Sequence, residues 1–178
     1  MVEVGSDAGG TLGRWGVSVL RAATPADIEA IMDVQQEGSV RALSGLYPQD
    51  RYPFPRAELT ERWAAEIDDP SVRVLVILHD GQVAGYVALQ DDQLLHFGTA
   101  TSTWGTGLAA AAHAEIVGLL GGAGHLWVLA GNHRARRFYE KMGWRATGRS
   151  VPDDFPPHPE LIEYRLHAPE TSPAQEAT

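Results

Sequence analysis

The alternation of hydrophobic and polar residues along the chain predicts a sheet of about seven strands. Two runs rich in Val, Ile and Leu, at 72–79 and 82–90, flank Asp80-Gly81, which is the strongest hairpin signal in the sequence. A further strand is predicted at 93–100. Shorter hydrophobic runs predict four more strands, at 17–22, 126–130, 145–150 and 161–167.

Four segments have the periodicity or the end signals of helices. Thr24 and Pro25 form a helix start, and this first helix is predicted to end near Gly38. The second helix covers residues 56–68, where apolar side chains fall four apart. An Ala-rich third helix is predicted to run to about Leu120, and a fourth follows the next strand.

In chain order the predicted elements read β-α-α-β-β-β-α-β-α-β-β. Hairpins combined with a strand–helix–strand unit indicate an α/β (α+β) fold, with a mixed, mostly antiparallel sheet and helices on both faces. We expect one domain over residues 17–167, because the hydrophobic pattern is confined to that range. Residues 1–16 and 168–178 are predicted to be flexible tails.

The composition narrows the class of protein. The chain has no cysteine, which removes disulfides, thiolate metal sites and a cysteine nucleophile. No apolar run approaches the roughly 18 residues that cross a bilayer, and the N-terminus lacks the apolar core of a secretion signal. We therefore expect a cytoplasmic protein with no membrane partner. The strong excess of Arg over Lys suggests a GC-rich bacterial source.

The net charge of −9 argues against a nucleic-acid partner, because duplex binding depends on Lys and Arg that neutralise phosphates. It favours a cationic acceptor such as an amine through electrostatic steering, although solubility alone would explain it equally well. One basic cluster, Arg134, Arg136 and Arg137, is the exception, and it would suit a ligand rich in phosphate.

A glycine-rich turn between the strand at 93–100 and the third helix is a candidate anion site. Backbone N–H groups at a helix N-terminus have no intrahelical acceptor, and the helix dipole favours negative charge there. Taken alone, a plain strand-to-helix connection explains this turn better than a ligand site does. The turn consists of Trp104, Gly105, Thr106, Gly107, Leu108 and Ala109.

A second segment, from Asn132 to Trp144, makes a ligand site at this turn the stronger interpretation. Its order and its distance from the turn resemble the GNAT superfamily of acyl-CoA N-acyltransferases, over roughly residues 17–167. Gly107 and Ala109 match the family loop Arg/Gln-x-x-Gly-x-Gly/Ala, whereas Trp104 replaces its Arg or Gln. The run Asn-x-x-Ala-x-x-Phe-Tyr-Glu-Lys-x-Gly-Trp matches the second family signature nearly in full.

The resemblance implies the GNAT fold, whose central strands splay apart, and acetyl-CoA as the cofactor. Backbone groups of Phe97, Gly98 and Thr99 would then pair with the pantetheine arm, and one N–H would polarise the thioester carbonyl. The N–H groups of the glycine turn, from Gly105 through Thr106, Gly107 and Leu108 to Ala109, would hold the pyrophosphate.

Four side chains are implied to border the same cofactor. Trp104 would stack on it or, equally, only cover the turn. Asn132 would bond the cofactor arm, a role compatible with capping the fourth helix. Arg134 and Arg137 would supply positive charge beside the phosphates.

Tyr139 matches the general acid found in many members of the family, since a phenol can donate a proton to the departing thiolate. Core packing is the alternative. His96 has a suitable intrinsic pKa for a general base. Strand alternation, however, places His96 and Gly98 on the face opposite Phe97, and an ordinary partly buried role is the stronger alternative. Asp91 and Asp92 are further candidates, acting through a water.

The expected activity is transfer of an acetyl group from acetyl-CoA to a primary amine by direct attack on the thioester. A small-molecule amine is slightly favoured over a peptide amine, whether a protein N-terminus or a lysine, with acceptor contacts from residues 47–55 and 151–159. The alternative is a non-catalytic module that binds or senses acyl-CoA. No metal is expected, because the histidines lack ligand spacing. A homodimer is a further expectation, since members of the family are often dimers.

Overall fold

The computed structural model describes residues 18–167. The predicted tails and Val17, the start of the first predicted strand, lie outside these residues. The described chain forms seven strands and four α-helices. In chain order they are β1 (Leu20–Ala22), α1 (Ile28–Leu43), α2 (Arg56–Asp68), β2 (Val72–His79), β3 (Gln82–Gln90), β4 (Gln93–Thr99), α3 (Leu108–Leu119), β5 (Gly124–Leu129), α4 (His133–Lys141), β6 (Arg145–Pro152) and β7 (Glu160–Leu166).

The seven strands form one sheet in the order β1-β2-β3-β4-β5-β7-β6. Every neighbouring pair is antiparallel except β4 and β5, which are parallel. Because α3 connects those two parallel strands, it forms the crossover of the strand–helix–strand unit. The predicted fold class, a mixed and mostly antiparallel sheet, is confirmed.

The hairpin between β2 and β3 turns at the predicted dipeptide. Asp80 and Gly81 both have positive φ, at 51° and 75°, which matches the backbone of a two-residue hairpin turn. His79 pairs with Gln82 directly across this turn. The strand bounds of β2 and β3 agree with the sequence pattern. The turn sets the two pairs nearest to it, and the register then shifts by one residue between Ile77 and Leu78.

Helix α1 is longer than predicted. It follows a short 3-10 turn at Pro25–Asp27 and continues through Gly38 to Leu43, so the predicted end at Gly38 is wrong. A glycine inside a helix costs about 1 kcal/mol relative to alanine, which packing against the sheet can offset. Helix α1 contacts β3 and β4, and its buried residues, Ile31, Met32 and Val34, all lie before Gly38.

Two hydrophobic cores lie on opposite faces of the sheet. On one face Ile31 and Met32 of α1 and Trp63 of α2 are buried against β2 and β3. On the other face Ile116 of α3 and Tyr139 of α4 are buried against the central strands. Helices therefore cover both faces of the sheet, as predicted. The gap between β4 and β5 lies between these two helical layers.

A buried pair links α3 to the chain after α4. The ring Nε2 of His113 accepts a hydrogen bond from the indole N–H of Trp144 at 2.8 Å, and both side chains are buried. Burial lowers the pKa of His113 to about 4. The neutral imidazole is the form that the fold needs, because a protonated Nε2 cannot accept that bond.

We expect the stability of the domain to fall below neutral pH through His113. Its folded pKa of about 4 lies below the ordinary value of 6.5, so its contribution is complete above pH 6.5 and is lost as pH falls through 4. The free energy of unfolding should drop by about 2 kcal/mol between roughly pH 7 and pH 5 from this group alone. Urea unfolding at both pH values measures it.

The control for this effect is His113→Leu. The variant should be less stable at neutral pH, since the Trp144 N–H is left without an acceptor at a cost of about 1–3 kcal/mol. Its stability should change much less between the two pH values than that of the natural protein. An equal drop in the variant would show that His113 is not the group responsible.

Candidate functional site

The sheet opens between β4 and β5. The two strands pair only at their beginnings, where Gln93 faces His125 and Leu94 faces Leu126. Beyond this point β4 runs on to Thr99 and β5 to Leu129, without pairing to each other. The facing backbone groups of β4 are therefore left for another extended segment, since backbone donors and acceptors need partners.

A bulge accompanies this opening. On β4 the register against β3 shifts after Leu94, so that Leu89 pairs with Leu94 but Ala88 pairs with His96. The extra residue, Leu95, bends the strand as bulges do. The shift sets Tyr86 of β3 directly across from Gly98, and a Cβ at position 98 would collide with the Tyr86 hydroxyl. Gly98 thus makes room for a phenol at the opening.

The glycine turn has the open backbone that the sequence predicts. Gly105 and Gly107 have φ of 84° and 95°, and a Cβ at either would meet nothing within 4 Å. Within residues 18–167 the N–H groups of Gly105, Gly107 and Ala109 donate to no backbone acceptor, whereas the N–H of Thr106 bonds the Thr103 carbonyl at 3.2 Å. Free donors at the start of α3 form an anion site.

Leu108 and Thr106 have structural contacts of their own. Leu108 is buried in the core beneath α3, and the Thr106 hydroxyl donates to the Thr103 carbonyl at 2.7 Å. The predicted role of these two residues is therefore limited to their backbone. Their side chains fix the turn.

A cavity of about 430 Å³ lies at the opening of the sheet, and we call it the split-sheet cavity. It joins nine of the predicted site residues, while α1 supplies the opposite wall through small side chains at Gly38, Ser39 and Ala42. The nine residues are Phe97, Gly98, Thr99, Trp104, Ala109, Asn132, Arg134, Arg137 and Tyr139.

Trp104, the departure from the family loop, is held by three contacts. Its indole N–H donates to the carbonyl of Thr99 at 3.1 Å. The guanidinium of Arg134 lies 3.9 Å from the ring centroid, and that of Arg41 lies 5.5 Å from it. These are cation–π distances. Trp104 therefore closes the end of β4 and holds Arg134 at the cavity.

Asn132 caps α4. Its Oδ1 accepts a hydrogen bond from the backbone N–H of Ala135 at 3.1 Å, and the residue also lines the split-sheet cavity. The capping role is observed, and the cofactor role stays a prediction that the position allows. The basic cluster is divided: Arg134 and Arg137 line the cavity, but Arg136 bonds the Tyr164 hydroxyl and the Ala130 carbonyl.

Tyr139 is buried at the base of the same cavity. Its ring lies edge-on to Phe138 and Trp144, with centroids 5.6 and 5.9 Å away. Burial raises the pKa of the phenol well above its usual range, and the neighbouring Tyr86 raises it further. Tyr139 is consequently protonated at any ordinary pH, which is the state a proton donor needs.

His96 is placed elsewhere. Its Nε2 lies 2.8 Å from Oε1 of Glu66 on α2, and its ring lies edge-on to Trp63 at 5.0 Å. It does not line the split-sheet cavity. This placement speaks against His96 as the general base, because β4 turns it toward α2 on the face opposite Phe97, where its Nε2 contacts Glu66.

Asp91 and Asp92 are also distant from Tyr139. They form the turn before β4, whereas Tyr139 lies beside the residues at the end of β4. Asp92 Oδ1 lies 3.4 Å from Nδ1 of His125. The structure therefore brings neither carboxylate to the cavity where the chemistry is expected.

A second cavity, of about 390 Å³, lies beside the first, and we call it the aromatic cavity. The two segments predicted to contact the acceptor meet there, since the Tyr47 hydroxyl donates to the Asp153 carboxylate. Ser39 and Leu43 of α1 line both cavities, so the two spaces adjoin along one helix. Its aromatic lining is Tyr47, Tyr52, Phe54 and Phe155.

Sequence reasoning missed two residues at these cavities. Tyr86 reaches the split-sheet cavity because of the β4 bulge, and Arg62 of α2 lines the aromatic cavity. The helical pattern of α2 offered a signal for Arg62, which lies one residue before Trp63 and therefore beside its buried face. No sequence signal marked the bulge.

The residues present fit a nucleotide-linked thioester cofactor. Open donors at the start of α3 suit a pyrophosphate, and the unpaired edge of β4 suits an extended amide-containing arm. Within residues 18–167 no group of three or more acidic or histidine side chains could hold a metal ion. The fold and the site together define the class of an acyl-CoA-type transferase.

The chain belongs to the acetyltransferase (GNAT) family, whose sequence model matches residues 39–144. A relative from Mycobacterium tuberculosis strain H37Rv, named an uncharacterized N-acetyltransferase, is 32% identical over 111 residues, which cover 57% of this chain and 71% of the relative. A relative of the same description from Mycobacterium bovis matches equally. The resemblance stated from the two motifs is thereby confirmed.

Solved structures share the fold. The solution structure of apo YjaB from Escherichia coli has a TM-score of 0.67 at 19% identity and covers 84% of this chain and 97% of that protein. PaiA N-acetyltransferase from Thermoplasma acidophilum, crystallised with coenzyme A, has a TM-score of 0.60 at 16% identity and covers 81% and 96%. In the described part of this chain no helix is long and apolar enough to span a membrane.

Proposed function

We propose that the protein transfers an acetyl group from acetyl-CoA to a primary amine of a small molecule. The observation that carries the proposal is the opening between β4 and β5, with the glycine turn at one end and Tyr139 at its base. The adjoining aromatic cavity gives the acceptor a separate entrance. Cytoplasmic location, a homodimer and the domain bounds stay predictions.

The cofactor would lie along β4. Free N–H groups of Gly105, Gly107 and Ala109 would bind the pyrophosphate, and Arg137 with the Trp104-held Arg134 would add positive charge. The backbone of Phe97 would pair with the pantetheine arm, whereas that of Gly98, two residues before the Ala100 N–H that bonds the Ala84 carbonyl, faces β3. The Thr99 carbonyl already accepts a hydrogen bond from the Trp104 indole, so Thr99 would contribute only its N–H group.

When bound, acetyl-CoA supplies an activated acyl group whose C–S bond breaks as the amine forms the new C–N bond. The chain's contribution is to position the amine and the thioester together, which supplies about 7–11 kcal/mol in well-oriented reactions. Tyr139 holds a proton for the departing sulfur. The proton lost by the amine returns to Tyr139 through solvent, and the products are an N-acetyl amine and the CoA thiol.

Calorimetric titration tests the cofactor assignment first. We expect acetyl-CoA and CoA to bind and ATP, which lacks the pantetheine arm, to bind at least about tenfold more weakly, a difference worth roughly 1.4 kcal/mol. Equal binding of ATP would mean that the glycine turn recognises phosphates alone. Absence of binding by either CoA compound would contradict the proposal.

A turnover assay distinguishes an acetyltransferase from a non-catalytic module that senses acyl-CoA. With binding established, a broad panel of primary amines is assayed for CoA thiol release. Acetylation of at least one small amine is expected. Tight binding of acetyl-CoA without transfer to any amine, and without slow hydrolysis, would favour the non-catalytic alternative.

A further inference from the structure

The aromatic cavity is lined by a partly exposed arginine whose ion pair with Glu66 is long. Arg62 lines the cavity from α2, and its Nε is buried without a hydrogen-bond partner among the described residues. The nearest carboxylate, Glu66, lies 3.9 Å from that Nε, too far for a hydrogen bond. A buried guanidinium nitrogen without a partner costs free energy, which a bound anion would recover.

Arg62 lies in the cavity that adjoins the reacting centre. Trp63, the next residue of α2, packs edge-on against Tyr86, with ring centroids 5.4 Å apart, and the two cavities share Ser39 and Leu43. Tyr86 in turn lines the split-sheet cavity with Tyr139. An anion bound by Arg62 would therefore sit in the cavity next to the one where the acceptor amine reacts.

The aromatic cavity is lined mostly by apolar side chains, and the charges on its walls balance. Besides its four aromatic rings, the charged side chains that line it are two of each sign, Arg51 and Arg62 against Glu58 and Asp153. Asp153 already accepts the Tyr47 hydroxyl, which closes the wall between the two loops. A polyamine would need a cavity rich in free carboxylates, and a second ammonium would be repelled by Arg62.

We propose that the acceptor is an α-amino acid with an aromatic or large aliphatic side chain, whose carboxylate binds Arg62. In this compound class the amine and the carboxylate are separated by one carbon, so an amine that reacts in the split-sheet cavity would direct its carboxylate toward the adjoining cavity that Arg62 lines. The side chain fills the space between Tyr52, Phe54 and Phe155. The inference rests on the proposed acetyl transfer, and the product is an N-acetyl amino acid plus the CoA thiol.

The first test varies the acceptor with the natural protein. The value of kcat/KM with acetyl-CoA is measured for L-phenylalanine, L-phenylalaninamide, 2-phenylethylamine and spermidine. L-phenylalanine should exceed each of the others by about 10- to 100-fold, the factor expected from one charge-assisted pair. The amide is the stringent comparison because its amine is less basic. Equal or better transfer to the amide, or to spermidine, would overturn the proposal.

The second test varies the protein. Arg62→Met keeps the length of the side chain but removes the cation, and the preference for L-phenylalanine over its amide should fall to about threefold or less. Arg62→Lys should restore part of it. The matched control is Arg73→Met, an exposed arginine on β2 that lines neither cavity. A preference retained in Arg62→Met, with thermal unfolding unchanged, would contradict the role of Arg62.

Binding of the product separates this inference from the proposed function. N-acetyl-L-phenylalanine and its amide are titrated into the CoA-loaded protein by calorimetry. Tighter binding of the acid that depends on Arg62 supports the carboxylate site even if no amine is turned over, in which case only the transfer activity is wrong. Equal binding of acid and amide overturns the carboxylate site, even if other amines are acetylated.

Discussion

Gly107→Val is expected to abolish measurable acetyl-CoA binding while the domain stays folded. The φ of Gly107 is 95°, a conformation that a β-branched residue adopts only under strain. Its Cβ would stand in the open space before the free N–H groups of the turn. Losing two or more charge-assisted hydrogen bonds lowers affinity by about 100-fold or more. Calorimetric titration measures the loss.

The matched control for this variant is Gly122→Val. Gly122 follows α3 with φ of 87°, and a Cβ there also meets nothing within 4 Å, so the backbone strain is the same. It lies at the opposite end of α3 from the glycine turn. Both variants should lose similar stability in urea, at about 1–2 kcal/mol. Only Gly107→Val should lose cofactor binding.

Two results would count against the role of the turn. If Gly107→Val bound acetyl-CoA within about threefold of the natural protein, the anion site would lie elsewhere. If Gly122→Val lost binding equally, strain transmitted through α3 would explain the effect. The acetyl-CoA affinity of an intermediate variant, Gly107→Ala, should fall between those of the natural protein and Gly107→Val, because the methyl group is smaller but the strain remains.

The elements fixed by local chemistry could be predicted from the sequence. The Asp80-Gly81 turn determined the pairing of β2 and β3 next to the turn, and helix α2 was predicted with its bounds. Gly107 sits at the start of α3 with the positive φ that its glycine permits. In each case the deciding interactions lie within a few residues of one another, so the pattern carries them.

The features that depend on distant contacts could not be predicted. Glycine ends many helices, but α1 continues past Gly38 to Leu43, in a helix whose first half is buried against the sheet. His96 was proposed from its residue type, and the structure places it beside Glu66 of α2, thirty residues earlier in the chain. An intrinsic pKa says nothing about which face a partner occupies, so residue type alone could not predict this contact.

The bulge on β4 is the clearest case. The Asp91-Asp92 turn pairs Gln90 with Gln93, and continuing that register would place Phe97 opposite Tyr86. The inserted Leu95 instead places Gly98 there, and this change opens the space for the Tyr86 phenol. A second tyrosine therefore lies at the cavity with Tyr139, and the general acid has to be identified by comparing the two.

Tyr139→Phe is expected to slow the chemical step by about 10²- to 10⁴-fold, the usual contribution of a general acid. The variant retains the ring contacts with Phe138 and Trp144, so folding and acetyl-CoA binding should be unchanged. Single-turnover acetylation, monitored with thermal unfolding as the folding check, isolates the chemical step. Full single-turnover activity would show that Tyr139 is only a core residue.

Comparison with Tyr86→Phe shows which of the two tyrosines donates the proton to the leaving thiolate. The ring of Tyr86 packs edge-on against Trp63 of α2, with centroids 5.4 Å apart, whereas Tyr139 lies with the residues of α4 that border the opening. We therefore expect a loss below about tenfold for Tyr86→Phe, from weakened orientation rather than a missing donor. The reverse ranking would make Tyr86 the acid.

Because both pKa values are raised, neither phenol ionises near about pH 9, and the rate should not decline from roughly pH 7 to that point.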